Sequence, residues 1–113
     1  EKISQMPIQL ITCEAVVAED CFLTQRMLGS SKAVFDFIDT GAVKIDFSLA
    51  DEFEAVKDLA LRYQNVPMSL ADACLVRMSE IYENSTVFTP DSDFLIYRKN
   101  GNQIIPTIMP ENS

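Results

Sequence analysis

The chain contains no histidine, and this absence excludes several catalytic chemistries. None of the 113 residues is a histidine, so a Ser-His-Asp or Cys-His nucleophile, a Cys2His2 zinc site and imidazole acid–base catalysis near neutral pH are ruled out. Glycine is also scarce, since Gly29, Gly41 and Gly101 are too scattered for a dinucleotide-binding fingerprint or a phosphate-binding loop. Any chemistry must therefore use carboxylates, hydroxyls, thiols or amines.

Cysteines and long apolar runs are also few. Cys13, Cys21 and Cys74 lie in apolar stretches without C-x-x-C spacing, a pattern that predicts free thiols in a reducing compartment. No apolar run approaches the roughly 18 residues needed to span a bilayer, and the polar start of the chain does not resemble a signal peptide. We therefore expect a cytoplasmic protein that does not associate with a membrane.

Negative charge dominates the composition. Nine Lys and Arg residues stand against seventeen Asp and Glu, giving a net charge of −8. Such a balance opposes broad, sequence-independent binding to nucleic acid, which depends on Lys and Arg meeting phosphates. It is compatible with a local acidic site for a divalent metal, and the hydrophobic content of 48% is ample for the core of one domain over residues 1–113.

Hydrophobic periodicity predicts short strands that alternate with longer helices. The pattern predicts strands over 8–12, 43–47, 86–89 and 103–108, and helices over 13–27 with Thr12 as N-cap, over 32–39, from Ser48 to about 63, and from Ser69 to about 84. This alternation is typical of an α/β fold with a mainly parallel sheet and right-handed crossovers.

Four acidic residues are candidates for a shared site. Asp91 and Asp93 follow a predicted strand, Asp72 begins a helix, and Glu19 lies about two turns into the first helix. If these positions meet at the carboxyl ends of the strands, the carboxylates repel one another and need a cation. An all-oxygen ligand set selects Mg²⁺ or Mn²⁺. Taken singly, each acid also has a structural explanation: Asp72 in a capping box, and Asp91 and Asp93 in a turn.

At these same positions the chain resembles a PIN domain, the family of Mg²⁺- or Mn²⁺-dependent ribonucleases that includes the VapC-type toxins of toxin–antitoxin pairs. The segment 10–19 is similar to the family's second strand and following helix, and this similarity places the metal-site glutamate at Glu19. Glu14 is the alternative for that position, but we assign it to the helix start, where its charge suits the positive N-terminus. Residues 69–73 (SLADA) resemble the family's "LADA" helix start, and 89–98 (TPDSDFLIYR) its "T-x-D-x-D-F…YR" segment. The resemblance implies metal ligands at Glu19, Asp72, Asp91 and Asp93.

One departure from the family pattern concerns the N-terminus. The family begins with a central strand that ends in a metal-site aspartate, and nothing before Ile8 resembles it. The expected fold is therefore a PIN-like three-layer sandwich of parallel-sheet type whose first, central strand is absent from this chain. We expect an N-terminally truncated single domain whose metal site is impaired when the chain is alone, or a strand supplied by another chain through domain swapping.

The resemblance implies hydrolysis of an RNA phosphodiester by metal-activated water at the carboxylate cluster. Arg98 and Lys99 are the expected phosphate contacts, and the expected partners are the RNA substrate, a second copy in a homodimer and, for the toxin subgroup, an antitoxin. Two alternatives stay open: a catalytically inactive PIN-like module that binds a protein partner, and an unrelated α/β phosphoacceptor domain. The second alternative needs a lysine after an apolar strand, opposite a reactive aspartate, and no lysine of the chain is so placed.

Overall fold

The computed structural model describes residues 10–83, 85–88 and 96–108, and over these residues the chain is a small α/β protein. The elements in chain order are β1 (Leu10–Thr12), α1 (Glu14–Leu28), α2 (Lys32–Asp39), β2 (Val43–Ile45), α3 (Leu49–Arg62), α4 (Leu70–Ile81), β3 (Val87–Phe88), β4 (Arg98–Lys99), β5 (Gln103–Ile104) and β6 (Thr107–Ile108). The chain divides into two compact units, the first ending at Phe47 and the second beginning at Ser48.

The first unit contains a short parallel sheet and two helices. Strands β1 and β2 pair in parallel, with Leu10 opposite Val43 and Thr12 opposite Ile45. One further backbone bond, from the Asp46 amide to the Thr12 carbonyl at 3.2 Å, continues this pairing past the end of β2. Helix α1 ends at Gly29, whose φ of 79° lies in the left-handed region that glycine adopts without a steric penalty. The short connection that follows leads directly into α2.

The second unit is built on the packing of α3 against α4. Their facing apolar side chains, including Val56 and Leu59 on α3 and Ala73 and Val76 on α4, are almost fully removed from solvent. A single leucine or valine buried in this way contributes about 1.5–3 kcal/mol to folding. The α3–α4 pair therefore supplies most of the apolar burial that the structure describes for this unit, and it provides a rigid support for the side chains at the helix ends.

Two small strand pairs complete the second unit. Strands β4 and β5 form an antiparallel hairpin, and its turn includes Asn100 and Gly101 at φ values of 51° and 89°. Strands β3 and β6 pair in parallel, and the Val87 amide donates to the Pro106 carbonyl at 2.8 Å. The described strands thus form three two-stranded pairs, of which two are parallel.

Several sequence predictions are confirmed at the level of elements. The α/β class is correct, α2 spans the predicted residues 32–39, and Ser48 and Ser69 cap α3 and α4 by accepting bonds from the Asp51 and Asp72 amides. The predicted strands over 43–47 and 86–89 are present as β2 and β3, over fewer residues. Residues 8 and 9 of the first predicted strand, and residue 89, lie outside the described part of the chain.

Other predictions are wrong in ways that have physical reasons. Thr12 is not the N-cap of α1, because it stays in β1 and Cys13, with extended backbone, occupies the cap position. The strand predicted over 103–108 is two strands, since Pro106 has no amide hydrogen to donate to a continuous ladder. Helix α4 ends at Ile81, about one turn before the expected residue 84. Where the chain is described, none of its helices is both long enough and apolar enough to cross a membrane.

Candidate functional site

The same four residues, Ser-Leu-Ala-Asp, begin both helices of the second unit. They occupy 48–51 at the start of α3 and 69–72 at the start of α4. In both copies the serine hydroxyl accepts a hydrogen bond from the aspartate amide, at 3.2 Å for Ser48 and 3.0 Å for Ser69. Each copy therefore satisfies one of the amides that a helix start leaves without a partner. The two aspartates nevertheless lie in different surroundings.

Asp72 is buried, whereas Asp51 is exposed. Only 8% of the Asp72 surface is accessible, in a segment where Ala71, Ala73 and Cys74 are also buried. Its Oδ2 accepts the Ser69 amide at 3.3 Å, which completes a reciprocal capping box. A buried carboxylate is costly unless it is hydrogen-bonded or bound to a cation. Asp72 is therefore a buried carboxylate whose Oδ2 is hydrogen-bonded.

Two tyrosines surround the start of α4. The hydroxyl of Tyr97, a fully buried residue, lies 3.5 Å from Asp72 Oδ2 in the direction of a donated hydrogen bond. The ring of Tyr63, at the end of α3, meets the Tyr97 ring edge to face with centroids 5.0 Å apart. The Tyr63 hydroxyl in turn accepts the Arg98 amide at 2.9 Å. These contacts connect the end of α3, the start of α4 and the beginning of β4.

Glu19 lies in the first unit, on α1, and its side chain is exposed. Its neighbour Asp20 has a pKa raised above the ordinary value of 3.8, first by loss of solvent around the carboxyl and second by the negative charge of Glu19. The negative charges of these two adjacent carboxylates thus repel each other, and a bound cation would reduce the repulsion. Glu14, the rival for the glutamate position, lies in the first turn of α1, where a negative charge suits the helix dipole.

The remaining predicted site residues follow α4 in the sequence. Asp91 and Asp93 lie outside the described residues. Arg98 and Lys99 form β4, and both side chains are half-buried. The Arg98 guanidinium donates through Nη1 to the carbonyls of Ile96 and Tyr97, both at 3.0 Å. This side chain therefore folds back along its own backbone, which leaves Lys99 as the more available cation for a phosphate.

The hairpin that carries Arg98 and Lys99 is held by a charge network. Arg77 of α4 bonds Glu52 of α3 through Nε at 2.8 Å and Glu80 through Nη1 at 2.9 Å. The second Glu80 oxygen accepts the Asn100 amide in the hairpin turn at 2.7 Å. These bonds raise the pKa of Arg77 above its ordinary value, the bond to Glu52 having the larger effect and the bond to Glu80 the next. The network links both helices to the hairpin.

The donor chemistry of the predicted acids fits a hard divalent ion, because all of the donors are carboxylate oxygens. Within residues 10–83, 85–88 and 96–108, no group of three or more acidic or cysteine side chains is placed to hold a metal ion. Of the four predicted ligands, the structure describes Glu19 in the first unit and Asp72 in the second, and each is described within its own unit.

Three features of this region were not predicted from the sequence. A hydrogen-bond partner for the Tyr97 hydroxyl was not predicted, although a buried tyrosine in an apolar stretch usually has one. The hairpin β4–β5 was not predicted, although Asn100-Gly101 is a strong signal for a tight turn with positive φ. The repeated Ser-Leu-Ala-Asp tetrapeptide was also visible in the sequence.

Comparison with known proteins adds no family assignment. The sequence matches no protein-family model, and a search of curated proteins finds no significant match.

Proposed function

We propose that this chain belongs to a divalent-metal-dependent ribonuclease with a PIN-like three-layer fold, in which Asp72 is a metal-site carboxylate and whose metal site is impaired when the chain is alone. The observation that carries the proposal is the burial of Asp72 compared with Asp51. Both residues follow the same Ser-Leu-Ala sequence and hold the same position in a helix, so capping alone does not account for burying one of them. A carboxylate needed for helix capping works as well in water, whereas a metal ligand benefits from a low-dielectric surrounding.

The other members of the proposed site come from the sequence resemblance. Glu19, Asp91 and Asp93 are the further proposed ligands of Mg²⁺ or Mn²⁺, and Lys99 and Arg98 the proposed phosphate contacts. A bound ion of this kind lowers the pKa of water and offsets charge on a phosphate oxygen. The carboxylates of this chain orient the reacting groups, and Lys99 neutralises charge on the RNA backbone. A homodimer and, for a toxin of a toxin–antitoxin pair, an antitoxin partner belong to the same proposal.

Metal binding tests the role of Asp72 directly. We expect Asp72→Asn to weaken Mn²⁺ binding by the 113-residue chain at least about tenfold, or about 1.4 kcal/mol, measured from the free Mn²⁺ signal in electron paramagnetic resonance. Asp51→Asn is the matched control, because it removes the same charge from the same position of the same tetrapeptide. Equal effects of the two substitutions would show that Mn²⁺ responds only to net charge, and would refute the assignment. Circular dichroism confirms that both variants keep their helices.

Cleavage of RNA tests the reaction. With the full-length protein, Mn²⁺ and end-labelled RNAs that contain both paired and single-stranded regions, we expect cleavage products that disappear in Glu19→Gln and persist in Glu14→Gln. Both substitutions remove one charge from an exposed glutamate of α1. Products that form equally in both variants would exclude Glu19 from the site.

A second candidate is a PIN-like module that binds a protein partner and has no activity. Exposed apolar side chains on the helices of the first unit favour it: Phe22, Leu23, Met27 and Leu28 on α1, and Phe35 and Phe37 on α2. Such exposure is typical of a surface that binds another protein. This candidate predicts that Mn²⁺ affinity is the same in Asp72→Asn and Asp51→Asn and that no RNA is cut, so the two experiments above separate the candidates.

A further inference from the structure

We propose that Tyr97 is a positioning residue for the Asp72 carboxylate. Its consequence for metal binding rests on the function proposed above, whereas the positioning itself does not. The Tyr97 hydroxyl, at 3.5 Å, and the Ser69 amide, at 3.3 Å, both donate to the same oxygen, Oδ2 of Asp72. Two donors that approach one oxygen from different elements restrict the rotation of the carboxylate about its side-chain bonds.

The strength of the hydrogen bond from Tyr97 to Asp72 depends on how far the two groups are removed from water. A donor–acceptor separation of 3.5 Å is long for a hydroxyl, so in water the contact would have little effect. Here Tyr97 is fully buried and Asp72 nearly so. In such surroundings a hydrogen bond is electrostatically stronger, and a displaced hydroxyl has no solvent to replace its partner. The contact therefore restrains the position of Asp72 more than its length alone suggests.

Tyr97 is itself held by groups outside α4. The edge-to-face contact with the Tyr63 ring, at 5.0 Å, fixes the Tyr97 ring plane. The bond from the Arg98 amide to the Tyr63 hydroxyl, at 2.9 Å, fixes the backbone that follows Tyr97. The end of α3 thus sets the position of Tyr97, and Tyr97 sets the position of the carboxylate at the start of α4.

The first helix start of the second unit shows what the tetrapeptide does by itself. At Ser48-Leu49-Ala50-Asp51 the serine caps the helix, but the reciprocal bond from the serine amide to the aspartate carboxylate, present in α4, is not part of this cap. Asp51 is also exposed, whereas Asp72 lies within 3.5 Å of the buried Tyr97 hydroxyl. The fixed carboxylate of Asp72 is therefore a property of its tertiary surroundings, with Tyr97 as the added donor.

Substitution of Tyr97 by phenylalanine tests the proposal, because it removes the hydroxyl and keeps the ring. The Ser69 amide reports on the carboxylate, since its hydrogen bond is to Asp72 Oδ2. We expect native-state hydrogen exchange at the Ser69 amide to become about threefold to tenfold faster in Tyr97→Phe. Ser79→Ala is the control, because it removes a buried hydroxyl of α4 that donates to the Val76 carbonyl at 2.6 Å, and it should leave that rate within about twofold of wild type. The Asp72 amide, which donates to Ser69, should change little in either variant.

Mn²⁺ affinity gives the second readout. If Asp72 binds the ion, Tyr97→Phe weakens Mn²⁺ binding and Ser79→Ala does not, a difference that a purely structural role would not produce. An unchanged Ser69 exchange rate in folded Tyr97→Phe overturns the positioning role. Faster Ser69 exchange in a protein that binds no Mn²⁺ in any form upholds the positioning role and refutes the metal site.

A measurement on the unaltered chain makes the test independent of whether the variant folds. A buried hydroxyl that donates to a carboxylate exchanges slowly with water. We therefore expect a distinct NMR resonance for the Tyr97 hydroxyl proton with a through-space contact to the Asp72 side chain. A Tyr97 hydroxyl that exchanges too fast to be observed would contradict the proposal.

Discussion

Replacing Arg77 by methionine is expected to destabilise the second unit. The guanidinium bonds Glu52 at 2.8 Å and Glu80 at 2.9 Å, and the Glu80 side chain is only 10% exposed. Methionine keeps the length and apolar stem of the side chain and removes its charge. The substitution therefore removes the guanidinium that both carboxylates bind, one of them nearly buried, while Glu80 still accepts the Asn100 amide.

The magnitude follows from the burial of the partners. An exposed ion pair contributes about 0–1 kcal/mol, whereas removing one partner of a buried pair costs about 3–5 kcal/mol. Arg77 is 30% exposed and Glu52 28%, so this network lies between the two limits. We expect a loss of about 2–3 kcal/mol, which corresponds to a fall of roughly 15–20 °C in the unfolding midpoint of a unit of this size.

Tyrosine fluorescence is a selective assay for this change. The chain has no tryptophan and three tyrosines, Tyr63, Tyr82 and Tyr97, all of which belong to the second unit. Urea unfolding followed by this signal therefore reports the unit that contains Arg77. A double-mutant cycle with Glu52→Gln separates the energy of that pair from the cost of leaving Glu80 without its partner.

Lys57→Met is the matched control. Lys57 pairs with Glu54 at 3.1 Å on the surface of α3, so its loss should cost at most about 0.5 kcal/mol. An Arg77→Met variant no less stable than Lys57→Met would refute the argument from burial. The pKa of Arg77 is raised by Glu52 and Glu80, so its stabilising contribution is fully present below the pKa of the unfolded chain. The difference between wild type and variant should therefore be constant from pH 7 to about pH 9.

Two further substitutions test other local features. Asp20→Asn should stabilise the first unit at pH 7, because the pKa of Asp20 is raised in the folded chain. A raised carboxyl pKa means that the folded state holds its proton more tightly, so wild type recovers stability as the pH falls from the raised pKa towards 3.8. The stability advantage of the variant, measured from the circular dichroism of the helices, should shrink over that pH range. A constant difference between variant and wild type would contradict the prediction. Ser69→Ala should cost about 1–2 kcal/mol and Ser48→Ala about 0.5–1 kcal/mol, because the Ser69 cap is partly buried and reciprocal. Equal losses in urea unfolding would show that the burial of Asp72 adds nothing to the cap.

The helices were largely predictable from the sequence because their signals are local. Serine before an apolar periodic segment placed the starts of α3 and α4, and Gly29 placed the end of α1. The strands were harder, since each has only two or three residues and strand pairing depends on distant segments. The interruption at Pro106 and the turn at Asn100 both follow from backbone rules, and applying them to the segment 96–108 would have predicted the hairpin.

The candidate site was predictable only in part. The choice of Asp72 came from its motif, and the structure adds that this carboxylate is buried and contacted by Tyr97. The tyrosine partner could not be inferred from spacing, because 25 residues separate it from Asp72. A shared metal site stays a prediction, which the Mn²⁺ and RNA experiments test; its proposed ligands are Glu19, Asp72, Asp91 and Asp93.

The two copies of Ser-Leu-Ala-Asp also bear on how short motifs should be interpreted in other proteins. The same four residues begin a helix twice in one chain. In both copies the aspartate amide donates to the serine hydroxyl over a similar distance. The tetrapeptide does not determine whether its aspartate is buried, because that depends on residues distant in the sequence. A search that scores such a tetrapeptide as a catalytic signature would rank both copies equally, so its specificity must come from the partners that reach the aspartate in three dimensions.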